Sequence, residues 1–169
     1  MSEPSKEDRI HKYIDTMRQH YATYHNHKEQ MAYVATALYL SGASALFFQK
    51  PPQSMDKLSY QCHIIPLVVI FSLAAIKFVK WQLDLRATAT DIIAACDLLR
   101  LRWLLNPPVN LDPQDFSCKR YEESINMPKI LHDEMPNVPT KGATFLPAFL
   151  MLGTMSVAFV ILILRLVFY

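Results

Sequence analysis

Three apolar stretches, unevenly spaced, constrain this chain more than any motif in it. They run roughly from Met31 to Phe48, His63 to Val79 and Thr144 to Tyr169. About a dozen residues separate the first two, and more than sixty separate the second from the third. A helix needs roughly 20 mainly apolar residues to cross the hydrocarbon core of a bilayer. Gln30 to Gln49 supplies them with no charge inside. The second block is shorter, but Lys77, Lys80 and Trp81 at its end can snorkel or sit in the interface. The third is the longest and carries Arg165 four residues from its end. Soluble helices rarely hold charge-free runs of this length. The expected fold class is therefore an all-α integral membrane protein: three transmembrane helices with cytoplasmic helical extensions and a proline-rich cytoplasmic loop.

Lysine and arginine counts orient that layout. The N-terminal arm holds five (Lys6, Arg9, Lys12, Arg18, Lys28), the short connector only Lys50 and Lys57, and the long connector with the end of the second span holds nine. The positive-inside rule then places the N-terminus and the long connector in the cytoplasm, and the short connector and Tyr169 outside. The expected segments are a cytoplasmic amphipathic helix over 1–30, transmembrane helix 1 over 31–49 and an outer loop over 50–62. Transmembrane helix 2 follows over 63–81, a cytoplasmic amphipathic helix over 82–106, a proline-rich cap over 107–142 and transmembrane helix 3 over 143–169. No cleavable signal peptide is expected, because some thirty polar residues precede the first apolar block. Cys62, Cys96 and Cys118 have no paired spacing, which argues against a secreted disulfide scaffold.

Periodicity predicts how the arms pack. Ile10, Ile14, Met17, Tyr21, Tyr24, Lys28 and Met31 recur at alternating spacings of 4 and 3, a heptad seam that runs into the first span without Gly or Pro. Arm and span are expected to form one helix of about 45 residues. Leu85, Ala89, Ile92, Cys96, Leu99 and Trp103 repeat the pattern beyond the second span, up to Pro107-Pro108. The two arms come from antiparallel neighbours and can pair as a stalk. Ala94, Leu98, Leu101 and Leu105 form a second stripe that such a stalk leaves over, to be covered by a symmetry mate, the following loop or the lipid interface. Within the first span Ala37, Ser41 and Ala45 fall four apart, either as a close-packing face in lipid or simply as good helix formers. Pro66 is expected in the first turn of its helix. A short helix around Gln114–Ile125 is expected in the cap, and Asp97 with Arg100 is expected to form a surface ion pair.

Little of this is catalytic. Tyr13, His20, Tyr21, Tyr24, His25, His27 and Lys28 crowd the entry to the first span. Most simply they are an interfacial aromatic belt and polar helix face. His20, His27 and Lys28 are candidates for a headgroup or anion contact, and a metal or pH-sensing role is the third reading. No two of these histidines share the i, i+3 or i, i+4 spacing that suits a metal on a helix, and no carboxylate or cysteine completes a set. His132-Asp133-Glu134 stands without a partner motif and is expected as polar residues at the surface. With 3 glycines in the chain, phosphate-cradling loops are nearly excluded, and no nucleophile elbow occurs. Basic residues alternate with acids, so direct nucleic-acid binding is not expected. No cofactor and no enzyme activity are expected. The centres of the spans lack ionisable groups, unlike ion-coupled transporters.

The stretch His25-Asn26-His27-Lys28-Glu29-Gln30-Met31-Ala32 running into the first span, together with Trp81–Asn106, resembles the SLATT group and related small membrane effectors of bacterial anti-phage systems. The resemblance is architectural and covers about the first 106 residues; the third span departs from the two-span plan. It implies an oligomeric inner-membrane effector that permeabilises the bilayer, and it carries over no catalytic residue. The expected function is a self-assembling pore- or channel-forming protein whose partners are the lipid bilayer, further copies of itself and a cytoplasmic protein or small-molecule regulator. The alternative is a non-conducting anchor that recruits a soluble partner. Stalk and oligomer packing is assigned to Ile14, Met17, Tyr21, Tyr24, Ile92, Leu99, Trp103, Leu98, Leu101 and Leu105.

Overall fold

The computed structural model describes residues 6–50, 56–105, 118–122, 125–138 and 145–168. Helix α1 covers Lys6–Phe48 and α2 covers Lys57–Leu105, 43 and 49 residues without interruption. Strands β1 (Cys118–Glu122) and β2 (Ile125–Pro128) follow, then α3 (Lys129–Glu134), a 3₁₀ turn at Met135–Asn137 and α4 (Phe145–Phe168). Three of these helices are long and apolar enough to cross a membrane: Asp8–Phe48, Lys57–Leu105 and Leu146–Phe168. The described residues are thus helical apart from one short strand pair and a 3₁₀ turn, and the lengths and composition of the three long helices are compatible with a multi-pass membrane protein.

Arm and first span do form one helix, as the unbroken pattern from Ile10 onward leads one to expect. The second helix starts earlier than position 63. Asp56 caps it, its Oδ2 accepting the Ser59 N–H at 2.9 Å, which satisfies one of the orphan donors of the first turn. Pro66 consequently lies inside the helix rather than in its first turn. There it offers no N–H to the Cys62 carbonyl, a loss that a helix tolerates best near an end.

At Cys118–Glu122 and at Ile125 the expected helix gives way to strand. β1 and β2 pair antiparallel, with Cys118 opposite Pro128 and Lys119 opposite Met127, and a register shift falls between Arg120 and Glu122. The dozen residues of the expected helix, Gln114–Ile125, are marginal for an isolated helix. Tyr121 and Ile125 favour the extended backbone instead. Residues 114–117, 123 and 124 of the expected helix lie outside the described residues, as do 106–113 and 139–144 of the cap and its borders.

Two compact units divide the chain: residues 1–26 with 86–142, and residues 27–85 with 143–169. α1 and α2 contribute a segment to each. The first unit has a core of Ile14, Tyr21, Ala89, Ile92, Ala95, Cys96, Leu99 and Trp103, closed by Leu131 and Met135. The second has a core of Ala32, Tyr39, Val79, Leu83, Met151 and Met155 drawn from α1, α2 and α4. Of its buried polar groups, Gln82 Oε1 has no hydrogen-bond partner among the described residues, while others are bonded. Thr36 donates to the Ala32 carbonyl at 2.8 Å, and the Tyr39 hydroxyl donates to Ser72 Oγ at 3.0 Å. Large apolar side chains such as Leu38, Leu67, Ile70, Phe149 and Val157 are exposed around this unit. That is the inside-out distribution of helices whose solvent is lipid.

Candidate functional site

In the first unit the stalk seam closes within a single chain. Ile14, Tyr21, Ile92, Leu99 and Trp103 are buried, and Met17 and Tyr24 pack half-buried against them. His11 meets Trp103 edge to face, with ring centroids 6.1 Å apart. Two ion pairs flank the seam: Arg18 Nε to Asp97 Oδ1 at 2.7 Å, and Arg100 Nη1 to Asp15 Oδ1 at 3.1 Å. Both link α1 to α2, so the expected Asp97–Arg100 pairing along one helix is corrected. Each partner prefers an opposite charge across the seam, where the two helices bring the side chains together. All four side chains are about half exposed, which limits such pairs to roughly 0–1 kcal/mol each. They set register more than stability.

The second stripe divides. Ala94 and Leu98 are half-buried, whereas Leu101 is 55% exposed and Leu105 71%, with neighbouring Leu104 at 69%. Leu98, Leu101 and Leu105 line a groove of about 250 Å³ whose other wall is Arg102, Glu134 and Asn137. Glu134 is buried and forms an ion pair with Arg102 Nη1. Asn137 Nδ2 donates to the other Glu134 oxygen at 3.3 Å. One carboxylate thus ties α3 and its 3₁₀ turn to α2 beside the leucines. Sequence reasoning placed Glu134 in a surface triplet; its burial depends on the fold-back of α3, for which no local signal exists.

The remaining assignments fare differently. Ala37, Ser41 and Ala45 are exposed, while the α1 face turned into the second unit's core is Ala32, Thr36 and Tyr39. A face chosen by small-residue spacing alone missed the aromatic that reaches Ser72. His20 and His27 are exposed, and His20 meets the Tyr21 ring edge to face at 5.4 Å. Lys28 is half-buried, its Nζ 5.9 Å from the Trp81 ring centroid, a cation–π contact inside the second unit. His25 received no separate role from its spacing, yet its Nε2 accepts from Arg86 Nε at 2.8 Å. Among the described residues no three His, Cys, Asp or Glu side chains stand together as a metal-ligand set. No protein-family model, no curated protein and no solved structure matches the chain.

Proposed function

We propose that this protein assembles with copies of itself through the Leu98–Leu101–Leu105 face, and that the assembly acts as a pore- or channel-forming effector of membrane integrity. The carrying observation is a contrast along one helix. The α2 seam is already covered within the chain, while Leu101 and Leu105, on the next stripe, are 55% and 71% exposed. In the proposed topology residues 82–142 and the N-terminus face the cytoplasm, so these leucines meet water, and a contiguous apolar face in water calls for a partner. Ala37, Ser41 and Ala45, exposed on α1, would give a second contact between copies inside the bilayer. Three helices are too few to enclose a path, so permeation would run between protomers, along small and apolar side chains gated by wetting. The SLATT-like layout of the first 106 residues supports a place in bacterial anti-phage defence, with a regulator acting on 107–142.

A second reading is a non-conducting anchor. It is favoured by the Arg102–Glu134 side of the leucine groove, a mixed polar and apolar surface suited to a different protein. The mass of the protein in lipid nanodiscs, followed by dye release from liposomes, separates the readings. The expected result is an oligomer that releases dye, and a Leu101→Ser, Leu105→Ser variant that is monomeric and silent with unchanged helix content. A wild-type monomer would sink the assembly proposal; an oligomer without release would leave the anchor.

A further inference from the structure

Where α1 and α4 end and α2 begins, the second unit gathers three cations that the pore reading does not use. Lys50, Lys57 and Arg165 line one pocket of about 210 Å³ together with Gln49, Tyr60 and Gln61. Gln61 Nε2 donates to the Leu166 carbonyl at 2.7 Å, tying α2 to the end of α4. The Arg165 guanidinium lies 4.5 Å from the Phe47 ring centroid, which holds it at the mouth of the site. No acidic side chain is among the described lining residues, and nearby Asp56 is engaged in capping α2. Helix ends work both ways here. The C-termini of α1 and α4 bring about half a negative charge each and the N-terminus of α2 about half a positive one. Asp56 adds one negative charge against Lys50, Lys57 and Arg165, so the balance stays positive and favours an anion.

Directly adjoining is an apolar groove of about 300 Å³. Leu46 lines both, and the groove continues past Gly42, Ile64, Leu67, Val68 and Phe71. In a bilayer such a groove fills with an acyl chain whatever the headgroup, since lipid tails are as apolar as leucine. The cationic pocket at its end decides which lipid supplies that chain. From this juxtaposition we infer that the protein binds a phospholipid with a net negative headgroup, its phosphate at Lys50, Lys57 and Arg165 and one acyl chain along the Gly42–Phe71 groove.

The inference stands apart from assembly and conduction, because lipid retention is read on any oligomeric state. The full chain is mixed in mild detergent with equal amounts of phosphatidylglycerol and phosphatidylcholine, and retained lipid is measured by native mass spectrometry. Phosphatidylglycerol should be retained over phosphatidylcholine by about thirtyfold, the ratio that two lysines near an anionic headgroup supply. The Lys50→Gln, Lys57→Gln variant alters two exposed side chains and should bring that ratio close to one. A Cβ on Gly42 would meet nothing within 4 Å, so Gly42→Leu fits the helix while filling the groove, and should lower retention of either lipid. Equal retention of both lipids by the wild type would overturn the inference. So would a preference that survives the lysine changes, or full retention in Gly42→Leu. Displacement of phosphatidylglycerol by inorganic phosphate at equal concentration would reduce the site to a bare anion pocket and equally overturn it.

Discussion

Cys96 shows how one side chain joins a seam to its charges. It is wholly buried between α1 and α2, and its thiol is pushed up to about 12. Burial is the main cause; Asp97 and Asp15 add to it and Arg18 opposes it. The folded state therefore keeps the proton that the unfolded state releases above its ordinary value of 9.0. Below pH 9 the contribution to stability is fully present, and it falls away as pH rises toward 12, because the unfolded chain then binds fewer protons. The expected outcome is that a maleimide at pH 7–8 modifies exposed Cys62 and spares Cys96 in a Cys118→Ser background until the protein is unfolded. In Cys96→Ala, the fall in stability above pH 9 should be shallower. Rapid labelling of Cys96 in the folded protein would contradict its placement. The helical spacing of Leu85 through Trp103 is enough to put Cys96 in a core. Its electrostatics were not legible, since Arg18 meets Asp97 across 79 residues of sequence.

At the scale of elements, the long helices were legible and the connector was not. α1 follows from the 3–4 periodicity of its arm and from the absence of Pro between Lys6 and Phe48, and the C-terminal half of α2 from the same periodicity. The Asp56 cap also had a local signal, an aspartate three residues before Ser59, but the apolar count began the helix at His63 instead. The strand pair is local, with Glu122 opposite Ile125, but the placement of α3 rests on contacts that no short window of sequence contains. Leu131 is 1% exposed because the α2 seam receives it, and it reads locally as one leucine in a charged segment. Its burial makes α3 part of the first unit's core. Leu131→Ala should therefore cost roughly 2–5 kcal/mol in that unit through lost burial and the cavity left behind. Chemical denaturation monitored by Trp103 fluorescence in a Trp81→Phe background would report it. Limited trypsin digestion should cut at Lys129 earlier in the variant than in the wild type. Equal digestion rates and an unshifted transition would mean that α3 does not hold the seam closed.

For the whole molecule, the strongest sequence signal is also the one the structure expresses most directly: apolar side chains face outward around residues 27–50, 56–85 and 146–168. A soluble bundle would turn Leu38, Leu67, Phe71 and Val157 inward; these are 68%, 62%, 60% and 59% exposed. The direction of insertion is a separate matter, fixed by charge rather than by packing. The arm and the long connector carry most of the lysine and arginine, and the 50–62 segment carries two, so the proposed orientation puts Cys62 on the outer side and the 8–26 arm within. Both Cys62 and Thr23 are exposed, which makes them fair reporters. With Cys118 changed to serine and Cys96 shielded, a membrane-impermeant maleimide added to intact cells should label Cys62. In a Cys62→Ser, Thr23→Cys variant, the same reagent should label only after the cells are opened. The reverse pattern would invert the topology, placing the leucine groove outside and the Lys50–Lys57–Arg165 pocket in the cytoplasmic leaflet. Adding lysines to the 50–62 segment should weaken the preference if charge sets it. Each inward-directed lysine there competes with the arm for the cytoplasmic side, so labelling of Cys62 from outside should fall with each addition.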